Sequence, residues 1–195
     1  MLALGDSYTI GEAVEARERW PVRLADMLRA RGRLVAEPTI IAKTGWTTDE
    51  LSGGIDAANP PPGPYEVVSL LIGMNNQYRG RSIDEYRSQF RSLLARAVAF
   101  AGGHAARVVV LSIPDWGVTP FAAGRDRAGI AAEIDAYNVV NREESGRAGA
   151  RYVDVTLVSR RALSNPALTA HDGLHPSGAM YEEWARLVAA AIGEP

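Results

Sequence analysis

The stretch "HDGLHPS", residues 171–177, concentrates proton-handling groups near one end of the chain, and "GDSYT", residues 5–9, places a serine near the other. A serine hydroxyl is a weak nucleophile and needs a base to take its proton. An imidazole titrates near neutrality and can accept and return that proton. His175 is the candidate base for Ser7. Asp172, three residues earlier, can reach round a turn to the ring Nδ1–H, fixing the tautomer and stabilising the imidazolium. Pro176 and Ser177 open a helix and hold His175 just before its N-terminus. His171 is out of register for the same role and reads as loop scaffold or substrate contact. His104, in "AGGHAAR", reads as surface at the opposite edge. Each signal has a plainer alternative: Ser7 as a cap of the following helical turn, and Asp-x-x-His as a solvated loop.

Acyl transfer by serine also needs donors for a developing oxyanion. Three are available: the Ser7 backbone N–H, the Gly45 N–H in "TGWTT", where glycine lets backbone approach a ligand closely, and the Asn75 side-chain amide in "GMNN". Gly45 as a simple turn and Asn75 as a tie between loops are the alternatives. Asp6 reads as a turn-stabilising hydrogen bonder. Trp46, Tyr78, Trp116 and Phe121 fall on neighbouring loops and, with Met74, are candidate walls of a substrate pocket; packing of loops to the sheet is the alternative for some of them.

Five apolar runs predict the strands that position these groups: Leu2–Leu4, Leu34–Ala42, Val67–Ile72, Val108–Ile113 and Tyr152–Val155. All but the second are near-continuous, the pattern of strands covered on both faces. Helical periodicity lies between them. "RWPVRLADMLRARG" has Pro21 at its start and Gly32 at its end. Thr47/Glu50 and Ser82/Glu85 read as capping boxes. Residues 128–147 and the final "SGAMYEEWARLVAAAI" complete the set. The alternation implies one domain over 1–195, a three-layer α/β/α sandwich on a parallel sheet. Ligands of such sheets bind at the carboxyl ends of the strands, where "GDSYT", "KTGWTT", "GMNNQ", "PDWG" and "HDGLHPS" all fall. The irregular stretch 114–127 is long enough to suggest a functional loop.

Composition narrows the classes. Of 195 residues 47 % are hydrophobic and 23 % charged, and the net charge is −2. That argues against a nucleic-acid surface. No cysteine is present, which removes disulfides, thiolate metal sites and cysteine nucleophiles. No apolar run reaches membrane-spanning length. The opening "MLALGDSYTI" has no signal-peptide pattern, so the expected location is cytoplasmic, with no stable membrane association. Neither a P-loop nor G-x-G-x-x-G appears.

Ser7, Gly45, Asn75 and the Asp172/His175 pair lie in that order after strands one, two, three and five. This resembles the SGNH hydrolases, the GDSL esterase/lipase family, from residue 5 to 177. The resemblance implies a five-stranded parallel flavodoxin-like sheet, Ser7 as nucleophile, His175 as base, Asp172 as its orienting acid, and Ser7, Gly45 and Asn75 as the oxyanion hole. It implies ester hydrolysis with no cofactor and no metal. Two positions depart from the family pattern: "GDSY" replaces Gly-Asp-Ser-Leu, and Asn76 stands where an aspartate is usual, with a hydrogen-bonding role expected. A small-molecule ester with a short acyl chain is the expected substrate. Lysophospholipase, thioesterase and carbohydrate O-deacetylase activities are alternatives on the same machinery. A metal-dependent hydrolase using Asp6, His171, Asp172 and His175, or a non-catalytic binding module, are the rivals of a different class.

Overall fold

The computed structural model describes residues 1–193. Runs of Val, Leu and Ile form five strands: β1 (Leu2–Gly5), β2 (Thr39–Ala42), β3 (Val68–Leu71), β4 (Val108–Leu111) and β5 (Arg151–Val153). They make one sheet in the order β2-β1-β3-β4-β5, every pair parallel. This is the flavodoxin-like order. β1, β3 and β4 are buried at every position, as continuous apolar runs require when helices cover both faces.

Among the described residues eight α-helices lie between and after the strands: α1 (Ser7–Ile10), α2 (Trp20–Ala30), α3 (Thr48–Ala58), α4 (Met74–Tyr78), α5 (Ile83–Phe100), α6 (Arg127–Ala148), α7 (Thr156–Arg160) and α8 (Gly178–Ile192). α2 and α8 pack together as one layer, and α3, α5 and α6 lie side by side as another. Trp20 and Trp184 are fully buried in the first layer. Each indole buries a large apolar surface, although neither Nε1–H has a hydrogen-bond partner among the described residues.

Four local expectations change; the last strand is Arg151–Val153 rather than Tyr152–Val155, because Val155 already caps α7. The second strand starts at Thr39, not Leu34. Its ladder opens with Thr39 opposite Leu2, and Leu34 is fully exposed. The fourth strand ends at Leu111 because Ser112 turns to another task. Its Oγ accepts the Val155 and Thr156 N–H at 2.8 and 3.0 Å, which ties the ends of β4 and β5 together. Ser82 caps α5 through the Asp84 N–H, without the reciprocal Glu85 bond of a capping box. The Thr47/Glu50 box at α3 forms as expected. The stretch 114–127 contains two 3-10 turns, Trp116–Val118 and Pro120–Ala122.

Candidate active site

α1 starts immediately beyond β1. Asp6 caps it, with Oδ1 accepting the Tyr8 N–H at 3.0 Å, and Ser7 is its first residue, almost wholly buried. The chain returns to this edge through the turn ahead of α8, where Thr169 and Pro176 bridge and Ser177 caps the helix. In that turn Asp172 Oδ1 accepts the Leu174 and His175 N–H, both at 3.0 Å. Its other oxygen is left for the His175 ring, 2.6 Å from Nδ1. A carboxylate acceptor there assigns the proton to Nδ1 and leaves Nε2 free to accept. Burial works to raise the Asp172 pKa, but hydrogen bonds from the His175 ring and from the Leu174 and His175 N–H outweigh it, and the carboxyl sits below its ordinary value. The His175 ring lies against the ring of Tyr8, centroids 5.1 Å apart, and Tyr8 stacks on Trp184. The two ends of the chain therefore meet at the residue next to Ser7. Among the described residues the bond to Asp172 is the His175 ring's sole hydrogen bond, and none joins Ser7 Oγ to Nε2.

Gly45 lies in the turn between β2 and α3 with φ +83°, the left-handed region that favours glycine. Asn75 is the second residue of α4. Its Nδ2 donates to the Trp46 carbonyl at 3.0 Å and lies 3.4 Å from Asp6 Oδ2. Gly73, before α4, has φ +127°, and a Cβ there would lie 2.5 Å from the Tyr86 hydroxyl. The backbone N–H groups of Ser7 and Gly45 have no acceptor among the described residues. Asn76 accepts the Thr48 N–H at 3.1 Å and donates to Thr48 Oγ1 at 2.8 Å, so a neutral amide uses both its ends where a carboxylate has only acceptors. Asp6 is fully buried. Burial pushes its carboxyl up to about 7 against hydrogen bonds from the Tyr8 N–H and Asn75.

Beside Asn75 is a cavity of about 110 Å³ lined by Met74, Asn75, Tyr78, Trp116, Phe121 and Leu174. Trp116 is fixed by Nε1–H donating to Gln77 Oε1 at 2.8 Å. The preceding Asp115 accepts from the Gly117 N–H and Arg160 Nε. Trp46 lines no part of this cavity; its ring packs over Gly54 of α3. Tyr8 and Leu174 are contributors that sequence reasoning missed, their only signal being adjacency to Ser7 and His175. His171 and His104 are exposed. Among the described residues no three His, Asp or Glu side chains are grouped to hold a metal ion, and no helix is long and apolar enough to cross a membrane.

The GDSL-like lipase/acylhydrolase family matches the chain over residues 3–183. Solved structures share the fold at low identity. A lipase/acylhydrolase from Enterococcus faecalis aligns over 98 % of this chain and 93 % of its own, at TM-score 0.73 and 18 % identity. The acetylxylan esterase Axe2 from Geobacillus stearothermophilus aligns over 98 % and 93 %, at TM-score 0.74 and 22 % identity. TesA aligns over 98 % and 97 %, at TM-score 0.74 and 18 % identity. No curated protein gives a significant match to the sequence.

Proposed function

Because this chain belongs to the GDSL-like lipase/acylhydrolase family, we propose that it hydrolyses short-chain carboxylic esters through an acyl-enzyme on Ser7. The observation that carries this reading is the Asp172–His175 pair, 2.6 Å apart, seated against the residue beside Ser7. Ser7 Oγ attacks the ester carbonyl while His175 Nε2 takes its proton, and Asp172 steadies the imidazolium. This reading requires the Oγ–Nε2 bond to form in the substrate complex, where catalytic hydrogen bonds tighten. The Ser7 and Gly45 N–H groups, free of other acceptors among the described residues, receive the oxyanion, and the Asn75 amide joins them by exchanging its long 3.4 Å contact with Asp6 for the oxyanion while keeping the Trp46 carbonyl. The imidazolium then protonates the departing alkoxide, and water repeats the route to release the acid.

The 110 Å³ cavity supports a short acyl group. An apolar cavity of about 150 Å³ takes benzene, so this one suits about two to four carbons. Tyr78 and Phe121 are exposed at the same cavity, with the Arg125 guanidinium over both rings, a mixed aromatic and hydrogen-bond-donating rim that suits a sugar alcohol. Carbohydrate O-deacetylation is therefore the second reading, alongside the acetylxylan esterase likeness.

A fluorophosphonate probe and p-nitrophenyl esters test both levels. We expect labelling of Ser7, loss of turnover in Ser7→Ala with an unchanged melting curve, and rates that fall beyond the butyrate ester. Label mapped to another serine, or full activity in Ser7→Ala, would contradict the mechanism. A preference for long chains would contradict the substrate class.

A further inference from the structure

We infer that Arg79 is a positioning residue for the oxyanion hole, an inference that rests on the site reading above. Arg79 follows α4 and caps its end. Its Nη2 donates to the Gly45 carbonyl at 2.6 Å. Its Nη1 lies 3.3 and 3.4 Å from the two Glu50 oxygens, and Glu50 in turn accepts the Thr47 N–H at 2.9 Å. The guanidinium thus bridges the glycine turn and the first turn of α3. As a surface ion pair alone it would add little. Its importance lies in what the carbonyl bond fixes.

Gly45 has no side chain to restrict its dihedrals, and its φ of +83° is held by what surrounds it. Pinning its carbonyl fixes the 45–46 peptide plane, whose N–H, that of Trp46, donates to the Lys43 carbonyl at 3.2 Å; with both ends of this turn held, the Gly45 N–H inside it is limited in its aim. The next carbonyl, of Trp46, is pinned by Asn75 Nδ2. Asn75 and Arg79 are four residues apart, on one side of the same short helical segment. One segment therefore carries the side-chain donor of the oxyanion hole and clamps the loop that carries a backbone donor. The separation between the Gly45 N–H and the Asn75 amide is set by that clamp, with Asn76 holding Thr48 as a second tie.

The test is Arg79→Met and Arg79→Lys, assayed on p-nitrophenyl acetate with melting curves in parallel. A donor displaced by about 1 Å costs about 10²-fold in rate, so Arg79→Met should lose about 10- to 100-fold in kcat. KM should stay within about threefold, because the donor acts in the transition state. Arg79→Lys should fall between, since an ammonium reaches the Gly45 carbonyl but cannot also fork onto Glu50. Fluorophosphonate labelling of Ser7 should slow in step with kcat, because the phosphoryl oxygen occupies the same hole. An unchanged kcat in Arg79→Met, or a loss confined to KM, overturns the inference. Should Arg79→Met fail to fold, Arg79→Lys decides: reduced kcat with an unshifted melt supports the clamp, and wild-type kcat overturns it. Failure of the wild type to hydrolyse esters or to be labelled at Ser7 would instead overturn the underlying site reading.

Discussion

Replacing Asp172 with asparagine changes the proton arrangement of the site while keeping its shape. Asp172 Oδ1 accepts the Leu174 and His175 N–H, and an asparagine oxygen can accept both, so the turn survives. The other position, 2.6 Å from His175 Nδ1, then carries an NH2 group. A donor there bonds only to an unprotonated Nδ1, so the ring proton moves to Nε2, the atom that receives the Ser7 proton in the mechanism we propose. The charge that stabilises the imidazolium is lost as well. In a Ser-His-Asp triad this change costs about 10⁴ in kcat, equivalent to about 5.5 kcal/mol. We expect a fall of that order on p-nitrophenyl acetate, with KM nearly unchanged. Stability carries a second signature. The Asp172 pKa is lowered in the fold because hydrogen bonds outweigh its burial. A carboxyl with a depressed folded pKa contributes stability above its unfolded pKa and loses it as pH falls through the folded value. The melting temperatures of wild type and Asp172→Asn should therefore differ at neutral pH and converge in acid. A variant that keeps kcat within about tenfold of wild type would refute the tautomer argument.

Asn75→Ala should lower kcat by about 10²–10³-fold, and a change in KM alone would remove the amide from the oxyanion hole. Asp6 provides the opposite pH signature to Asp172. Lifting a fully buried carboxyl from 3.8 to about 7 makes its ionisation cost about 4 kcal/mol in the fold. Since the folded state then binds more protons than the unfolded one, stability should decline as pH rises between those two values. Asp6→Asn should flatten that decline in urea titrations from pH 4 to 8, and an undiminished slope would show that another group carries it.

The sheet was legible where burial is complete and obscure where it is not. β1, β3 and β4 are covered on both faces, so apolarity alone marks them. β2 lies at the edge, and the preceding Leu34-Val35-Ala36 is apolar enough to read as strand. A strand also needs a partner, and the ladder to β1 begins only at Thr39. Ser7, Asp172 and His175 stood out because their types carry chemistry at ordinary pH. Arg79 did not, because nothing in an arginine's identity reveals that it pins a glycine carbonyl 34 residues away in sequence. Leu174 and Tyr8 were hidden for the same reason: an apolar wall and a ring against an imidazole are defined by neighbours.

The site's local motifs have a common construction that explains why they are short. Asp6 caps the turn that holds Ser7, Asp172 folds the turn that holds His175, and Asn76 and Arg79 bind the loop that holds Gly45. In each case a polar side chain within a few residues, or on one facing turn, fixes the backbone of the functional group. The parallel sheet brings the three segments to one edge but cannot by itself set a hydroxyl, an imidazole and two N–H donors to the half-ångström that the proposed acyl transfer requires. That last adjustment is made by hydrogen bonds from side chain to backbone, which depend on a handful of residue types and tolerate wide change elsewhere. The fold itself is shared with proteins that have only about a fifth of their aligned residues in common with this chain. It follows that substitutions in the Trp20–Trp184 layer should be read in stability first, and substitutions at these backbone-fixing side chains in kcat first.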